Sequence, residues 1–318
     1  MRLVSLLASA TEMVAELGAL EQLVGRSHEC DYPPAVLSLP VVSTVAIDTT
    51  ASSGEIDAQI KRLASAQPVP ENAALRALSI YAIDSDLLQK LRPDVIFTQT
   101  QCEVCAVSER DVARAIAQLT GLRPRIVTLT PHRLDDVWED VLRVGEAIDR
   151  AEQARRRVYT YQQRLEQLRT RCDRLAGPQR PRVAVLEWLD PLMGAGNWTP
   201  ELVTYAGGEP LFGEIGQHTP WLSWEELQAA DPDVLVLAPC GFTLSRTMQD
   251  LPLLQRHPAW LDLRAVKQGR IYAIDGNAYL NRSGPRLVES AELLAYALWG
   301  EQAGVSIDEQ AIRSLAHR

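Results

Sequence analysis

Short apolar runs alternate with amphipathic stretches through the first half of the chain. "RLVSLL" precedes "ATEMVAELGAL", "VGRS" follows, and "SDLLQKL", "DVIFTQ", "VSERDVARAIAQLTG" and "RIVTLTP" continue the pattern. Strand-length runs between segments of helical period predict βαβ units around a parallel sheet. Residues 134–175 break the alternation with a 3.6-residue period, charges of both signs and no proline. They predict one or two long helices with a break near Asp149, stopped by "AGPQRP". The alternation then resumes with "RVAVLEW", "TPELVTYAGG", "SWEELQAA", "DVLVLAP", "LLQRHPAWLDL" and "RIYAI", and a last helix runs from about Gly284 to Gly300.

The second half echoes the first. "DLLQKLRPDVIFTQ" (86–99) and "EELQAADPDVLVLAP" (225–239) each read as a short helix, a Pro-Asp turn and a buried strand. The predicted fold is α/β: two Rossmann-like lobes with central parallel sheets, joined by a long crossing α-helix, with a ligand cleft between the lobes. The expected boundaries are 1–150 for the N-terminal lobe, 151–178 for the inter-lobe helix and 179–318 for the C-terminal lobe. Ligands of parallel sheets sit outside the carboxyl ends of the strands. The expected lining is therefore Ala8 to Thr11, Ser27 to Asp31 and Thr98 to Cys105 in lobe one, with Trp188 to Trp198, Pro239 to Phe242 and Asn277 to Arg282 in lobe two.

Composition narrows the function classes. A net charge of -9 argues against a nucleic-acid surface. No run approaches a membrane span. Five scattered cysteines do not form a secreted disulfide framework and suit a reducing compartment. The opening "MRLVSLLASATEM" imitates a signal peptide, but its apolar run is too short, and Ser9-x-x-Glu12 has the form of a capping box. The expected location is the cytoplasm, or the periplasm if the given start is truncated.

Candidate chemistry concentrates in the expected loops. Cys102 and Cys105 form a C-x-x-C after a buried strand. Three readings stand: a redox pair, half of a zinc site completed by His28 and Cys30, or cleft-lining groups that contact a bound chelate. Trp188, Trp198, Trp221 and Trp224 all fall in lobe two, and the first two flank the glycine loop "GAGNW" that holds Asn197. Flat rings there suit a large macrocycle. Ser9, Cys240, Phe242, Tyr279 and Arg282 join the expected ligand-binding set, with Asn277 and Asn281 as further donors and Arg282 as a clamp for an anionic ligand group. Trp138, Trp260, Trp299 and Cys172 read as core. No Walker loop, G-x-S-x-G, H-E-x-x-H or dinucleotide fingerprint is present, so catalysis is not expected.

"RLVSLLASATEMVAELGALEQLVGRSHECDYP", the paired Pro-Asp-Val units, the long helix, "WTPELVTYAGGEPLF" and "VKQGRIYAIDGN" together resemble the helix-linked substrate-binding proteins for cobalamin, iron-siderophores and haem. The resemblance covers nearly the whole chain and looks closest to the cobalamin branch. It implies non-catalytic binding of a corrinoid or related metal chelate by a monomer, and a possible ABC permease partner docked through one acidic residue per lobe. Asp86 and Glu225 match those positions. Each also reads as an acid in a first helical turn, where it favours the helix dipole. The competing class is a thiol-dependent zinc protein or oxidoreductase using Cys30, Cys102 and Cys105.

Overall fold

The computed structural model describes residues 1–45, 47–66, 81–99, 116–117 and 120–316. Two compact units form. Unit one holds Met1–Thr50, Ala58–Pro131 and Asp135–Tyr159, and unit two holds Ala51–Asp57, His132–Leu134 and Thr160–Arg318.

The first half of the chain supplies β1 (Leu3–Ser5), α1 (Ala8–Glu16), β2 (Leu23–Arg26), β3 (Ser43–Val45), α2 (Ser53–Ala66), β4 (Tyr81–Ile83), α3 (Ser85–Leu91), β5 (Val95–Gln99), β6 (Arg125–Leu129), α4 (Leu134–Ala147) and α5 (Ala151–Ala176). Strands β2-β1-β5-β6 lie in that order and pair in parallel, as the βαβ pattern predicts, while β3 and β4 form a separate antiparallel pair. The sheet strands are β-branched and buried because helices cover their faces. Val4, Ile96 and Ile126 from the sheet meet Leu88 of α3 in one cluster.

One local expectation is corrected. Helix α1 begins at Ala8 with Leu7 as its cap and no side-chain cap bond, so Ser9-x-x-Glu12 is not a capping box. The turn after β1 is closed by the Ser5 hydroxyl donating to the Leu7 carbonyl at 2.8 Å, which leaves Ser9 and Glu12 buried within the helix. The break in the long helical stretch does fall at Asp149, whose φ of 58° ends one helix before α5 begins. Helix α5 buries Ala154, Val158, Tyr161, Leu165, Leu168 and Cys172, a single 3.6-period stripe.

The second half supplies β7 (Arg182–Leu189), β8 (Leu192–Gly194), α6 (Thr199–Tyr205), β9 (Glu209–Leu211), α7 (Trp224–Ala230), β10 (Val234–Leu237), α8 (Leu244–Gln255), α9 (Arg264–Lys267), β11 (Ile271–Ile274), α10 (Leu287–Trp299) and β12 (Ile312–Ser314). The order is β12-β11-β10-β7-β8, with β9 also on β7. This sheet is mixed: β7, β9, β10 and β11 run parallel, and β8 and β12 are antiparallel edges. Trp260 is fully buried in its core.

The two sequence echoes build the same staple. Helices α3 and α7 both end on a left-handed residue, Arg92 and Asp231, ahead of the Pro-Asp pair. Asp94 Oδ2 accepts the Arg2 backbone N–H at 2.7 Å, and Asp233 Oδ2 accepts that of Arg182 at 2.9 Å. The same arginines return their guanidinium groups to the helix ends, Arg2 Nε to the Leu91 carbonyl and Arg182 Nη1 to the Ala230 carbonyl, both at 2.6 Å. A helix C-terminus is thereby tied to the start of a central strand in each unit.

Asp94→Ala should lower stability by about 1.5–3 kcal/mol, the scale of one lost hydrogen bond to a charged acceptor, and Asp233→Ala by more, because Arg264 also donates to Asp233 at 2.8 Å, both read as a fall in the urea midpoint. A second expectation comes from Asp140 of α4. It is 2% exposed, pairs with Arg143 at 2.8 Å, and leaves Oδ2 without a partner. Burial, opposed by Arg143, pushes its carboxyl up to about 7. The folded form holds a proton that the unfolded chain releases near its ordinary value of 3.8. Stability should therefore fall between those two pH values, by on the order of 4 kcal/mol, and level off above the upper one. Asp140→Asn should abolish that decline when urea unfolding is compared at low and neutral pH.

Candidate functional site

The carboxyl ends of β7 and β10 in unit two carry the richest grouping of polar and aromatic side chains among the described residues. Trp188, at the end of β7, is half-buried and lies 5.2 Å from the Phe242 ring at a 58° tilt. On Phe242 also sits the Arg246 guanidinium, 4.3 Å from the ring centroid. Phe242 is thus an interior plate, and Trp188 offers the accessible ring. Arg246 is fixed by Asp250 at 2.8 Å and by the Ala51 carbonyl at 2.5 Å. Asp250 also accepts the Ser53 N–H at 2.8 Å, so a buried carboxylate closes the N-terminus of α2. Neither Arg246 nor Asp250 stands out in the sequence, because an i,i+4 pair on a helix resembles an ordinary surface pair.

Glu187, the neighbour of Trp188, was also hidden in the apolar run of β7. Burial holds its carboxyl above the ordinary range, against the Thr219 hydroxyl, the Gly196 N–H and the charge of His218. Cys240 follows β10; its N–H donates to the Glu187 carbonyl at 3.0 Å and its residue is exposed. The glycine loop is shaped by backbone approach: a Cβ on Gly196 would strike the backbone from Gln217 to Thr219, and Asn197 adopts a left-handed φ of 51°.

The other expected ligand residues of unit two divide. Trp198 is 4% exposed and its indole donates to the Leu280 carbonyl at 2.8 Å, which places it behind the loop in the core and removes it from the ligand-facing pair. Arg282, expected as a clamp for an anionic ligand group, is also interior, 7% exposed, with Nη2 donating to the Asn277 side-chain oxygen at 3.1 Å as a buried brace. Asn281 donates to the Ala238 carbonyl at 2.8 Å. Tyr279 is half-buried under Arg286, and burial raises its phenol. Trp221 is exposed, whereas Trp224 stacks on His257 with centroids 4.0 Å apart. Trp138 and Trp260 are core, and Trp299 is only half-buried.

In unit one, Ser9 is buried within α1. Cys30 is completely buried: its sulfur accepts the Thr11 hydroxyl at 3.0 Å and its thiol lies 3.9 Å from the Ser5 carbonyl. His28 Nδ1 is 3.0 Å from the Ser43 hydroxyl. Cys30 and His28 therefore address different neighbours. Cys102 and Cys105 lie outside the described residues. The loop holding His28 and Cys30 is organised by Arg26, buried in the sequence as an unremarkable strand residue, whose Nη1 donates to the carbonyls of Ser27 and Cys30 at 3.1 and 3.0 Å. Asp86 and Glu225 are exposed in the first turns of α3 and α7. Capping is done by other residues, Asp84 in α3 and the Ser223–Glu226 box in α7.

Comparison with known proteins covers most of the chain. The profile of the family described as "Periplasmic binding protein" matches residues 3–278. The vitamin B12-binding protein of Vibrio cholerae is 23% identical over 294 residues, 92% of this chain and 86% of that one. An uncharacterised ABC transporter substrate-binding lipoprotein of Bacillus subtilis is 20% identical over 302 residues, 94% of this chain and 80% of that one. Among solved structures, a periplasmic heme-binding protein from Pseudomonas aeruginosa superposes with a TM-score of 0.66 at 21% identity, covering 94% of this chain and 92% of that chain. The periplasmic vitamin B12-binding protein of Vibrio cholerae gives a TM-score of 0.62 at 21% identity, covering 96% and 98%. These relatives are named periplasmic or a lipoprotein, and they lend no support to a cytoplasmic location or to a thiol enzyme.

The thiol environments predict an order of reactivity. Cys30 and Cys172 are buried, and burial pushes the Cys172 thiol up to about 11, whereas Cys240 is exposed. With a chromogenic disulfide reagent on the folded protein, Cys240→Ser should remove one fast-reacting thiol. Cys30→Ser and Cys172→Ser should leave the fast phase unchanged and reduce only the count after denaturation.

Proposed function

Because the chain belongs to the periplasmic binding protein family, a family of ABC-transporter substrate-binding proteins rather than enzymes, we propose that it binds a corrinoid of the cobalamin type through its strand-end loops. The observation that carries this reading is the accessible Trp188 ring, backed by Phe242 and Arg246, next to Glu187 and the exposed Cys240. A flat apolar plate with a few placed polar groups suits a macrocycle bearing amide side chains. Curated relatives named as vitamin B12-binding proteins support the same ligand class. Haem is the second reading, favoured by the solved heme-binding neighbours.

Asp86 and Glu225 are the proposed contacts for a permease, since both are exposed acids whose helices are capped by other residues. Residence in the cytoplasm is part of the same proposal. It rests on the cysteine set alone, and fractionation of the native host with an antibody decides it: recovery from the periplasm or the membrane overturns it.

Titration with cobalamin, cobinamide and haem is the direct test. A corrinoid should bind one-to-one and quench tryptophan fluorescence. Trp188→Ala should weaken it about tenfold or more, the scale of ~1.4 kcal/mol of ring contact, with an unchanged unfolding midpoint. Trp198→Ala should instead cost about 3–5 kcal/mol of stability, as for a buried aromatic. If none of the three ligands binds at tens of micromolar protein, the ligand class is wrong.

A further inference from the structure

The segment that opens α2 completes a circuit of contacts around Trp188. Residues Ala51–Asp57 come from the first half of the chain but belong to unit two. Ser53 donates its backbone N–H to Asp250 Oδ2 at 2.8 Å, and the Ala51 carbonyl accepts Arg246 Nη2, from partners 197 and 195 residues away along the sequence. Arg246 Nη1 donates to Asp250 Oδ1 at 2.8 Å, so one carboxylate holds both the segment and the guanidinium. That guanidinium lies over the Phe242 ring, and Phe242 backs Trp188. The circuit closes on the other side of the indole. Trp188 Nε1 donates to the Asp190 carbonyl at 3.0 Å, and the Asp190 carboxylate rests on Gly54, where an added Cβ would fall 2.7 Å from Oδ2.

The junction adds little to stability for the polar groups it buries. Ser53 and Asp250 are buried, the Arg246 side chain is 14% exposed, and both Ser53 Oγ and Arg246 Nε are shielded from solvent without a hydrogen-bond partner. Each such atom costs free energy that a packed apolar contact would not, and a buried ion pair seldom recovers its own desolvation. What the junction supplies is geometry. A ring locked by packing and supporting hydrogen bonds before the ligand arrives has less freedom to lose on binding. Arg246 cannot leave the face of Phe242 without breaking its bonds to Asp250 and Ala51, and Trp188 cannot turn without breaking its bond to the loop that Gly54 supports.

We propose that Asp250 and Gly54 are positioning residues for the ligand plate, an assignment that rests on the reading of Trp188 as the ligand contact. Asp250 fixes Arg246 and the Ala51–Ser53 backbone together, Gly54 lets the Asp190 loop approach, and between them they set the orientation of the indole. Part of the affinity therefore belongs to residues that act through Trp188.

The test uses the full chain with 5-fluorotryptophan in place of tryptophan, the Trp188 fluorine resonance being identified by its loss in Trp188→Phe. Asp250→Asn keeps the size of the side chain but leaves one oxygen for two donors. Gly54→Val sets a side chain against Asp190, and valine favours a helix over glycine, so propensity does not lower stability. In both variants the Trp188 resonance should shift or broaden, while that of the core residue Trp260 stays in place. Cobalamin affinity should fall about fivefold or more in each, within the range of coupled neighbours, with the urea midpoint of Gly54→Val close to the parent. In a Trp188→Ala background, Asp250→Asn should change affinity by less than about twofold, because residues that act through one another are not additive. A Trp188 resonance unmoved in both variants overturns the proposal, whether or not a corrinoid binds. Equal loss of affinity from Asp250→Asn with and without the Trp188 ring overturns it too, being the mark of general destabilisation. A moved resonance in a chain that binds no corrinoid supports the positioning role and overturns only the corrinoid reading.

Discussion

A tie between the end of a helix and the start of a strand sets the geometry of both units. Asp94 accepts the backbone N–H of Arg2, just before β1, and Asp233 that of Arg182, which opens β7, and the same two arginines return a donor to the last carbonyls of α3 and α7. Those carbonyls would otherwise be exposed acceptors at a helix C-terminus. With the foot of each strand held, the register of β1 with β5 and of β7 with β10 is determined, and so is the height at which the loops after those strands emerge. The position of Trp188 and Cys240 follows from a staple at the other end of the same strands.

The strand-end grouping in unit two combines a rigid apolar stack with a carboxyl that is costly to ionise. Phe242 is buried between a tryptophan and a guanidinium, so it cannot adjust, and Trp188 inherits its rigidity. Burial raises the Glu187 carboxyl above its ordinary range, and the Thr219 hydroxyl and the Gly196 N–H oppose that shift and steer the group. The glycine loop makes this possible, since any larger residue at Gly196 would push its N–H away from Glu187.

The two ends of the unit-two sheet differ in chemistry. The strand carboxyl ends carry aromatic rings and a carboxyl raised by burial, and the strand amino ends carry arginines paired with carboxylates. Asp233 belongs to the staple and also accepts from Arg264, so the residue that sets strand height also sets the spacing of Arg182 and Arg264.

By itself the sequence determined the α/β class, the alternation that makes the central sheets parallel, the break at Asp149 and the repeated Pro-Asp unit. Each is a local property: periodicity, a breaker or a turn signal acts over a few residues and needs no partner. It also led to Trp188, Cys240 and Phe242, because loops after parallel strands are where ligands meet such sheets. The tertiary structure alone decided which residues of those loops face outward. Trp198 and Arg282 have the composition of ligand residues but find backbone and amide acceptors inside the fold. Ser9 reads as a cap from the sequence, but the helix starts two residues earlier, at Ala8 with Leu7 as its cap, after a turn that the Ser5 hydroxyl closes. Glu187, Arg246 and the arginine–carboxylate cluster of Arg182, Asp233 and Arg264 had no signal along the chain, because each depends on segments remote in sequence: the 196–219 loops, the Ala51 carbonyl, and the joined starts of β7 and β10. Burial and charge balance arise only when those segments meet, and that is why they could not be read one residue after another.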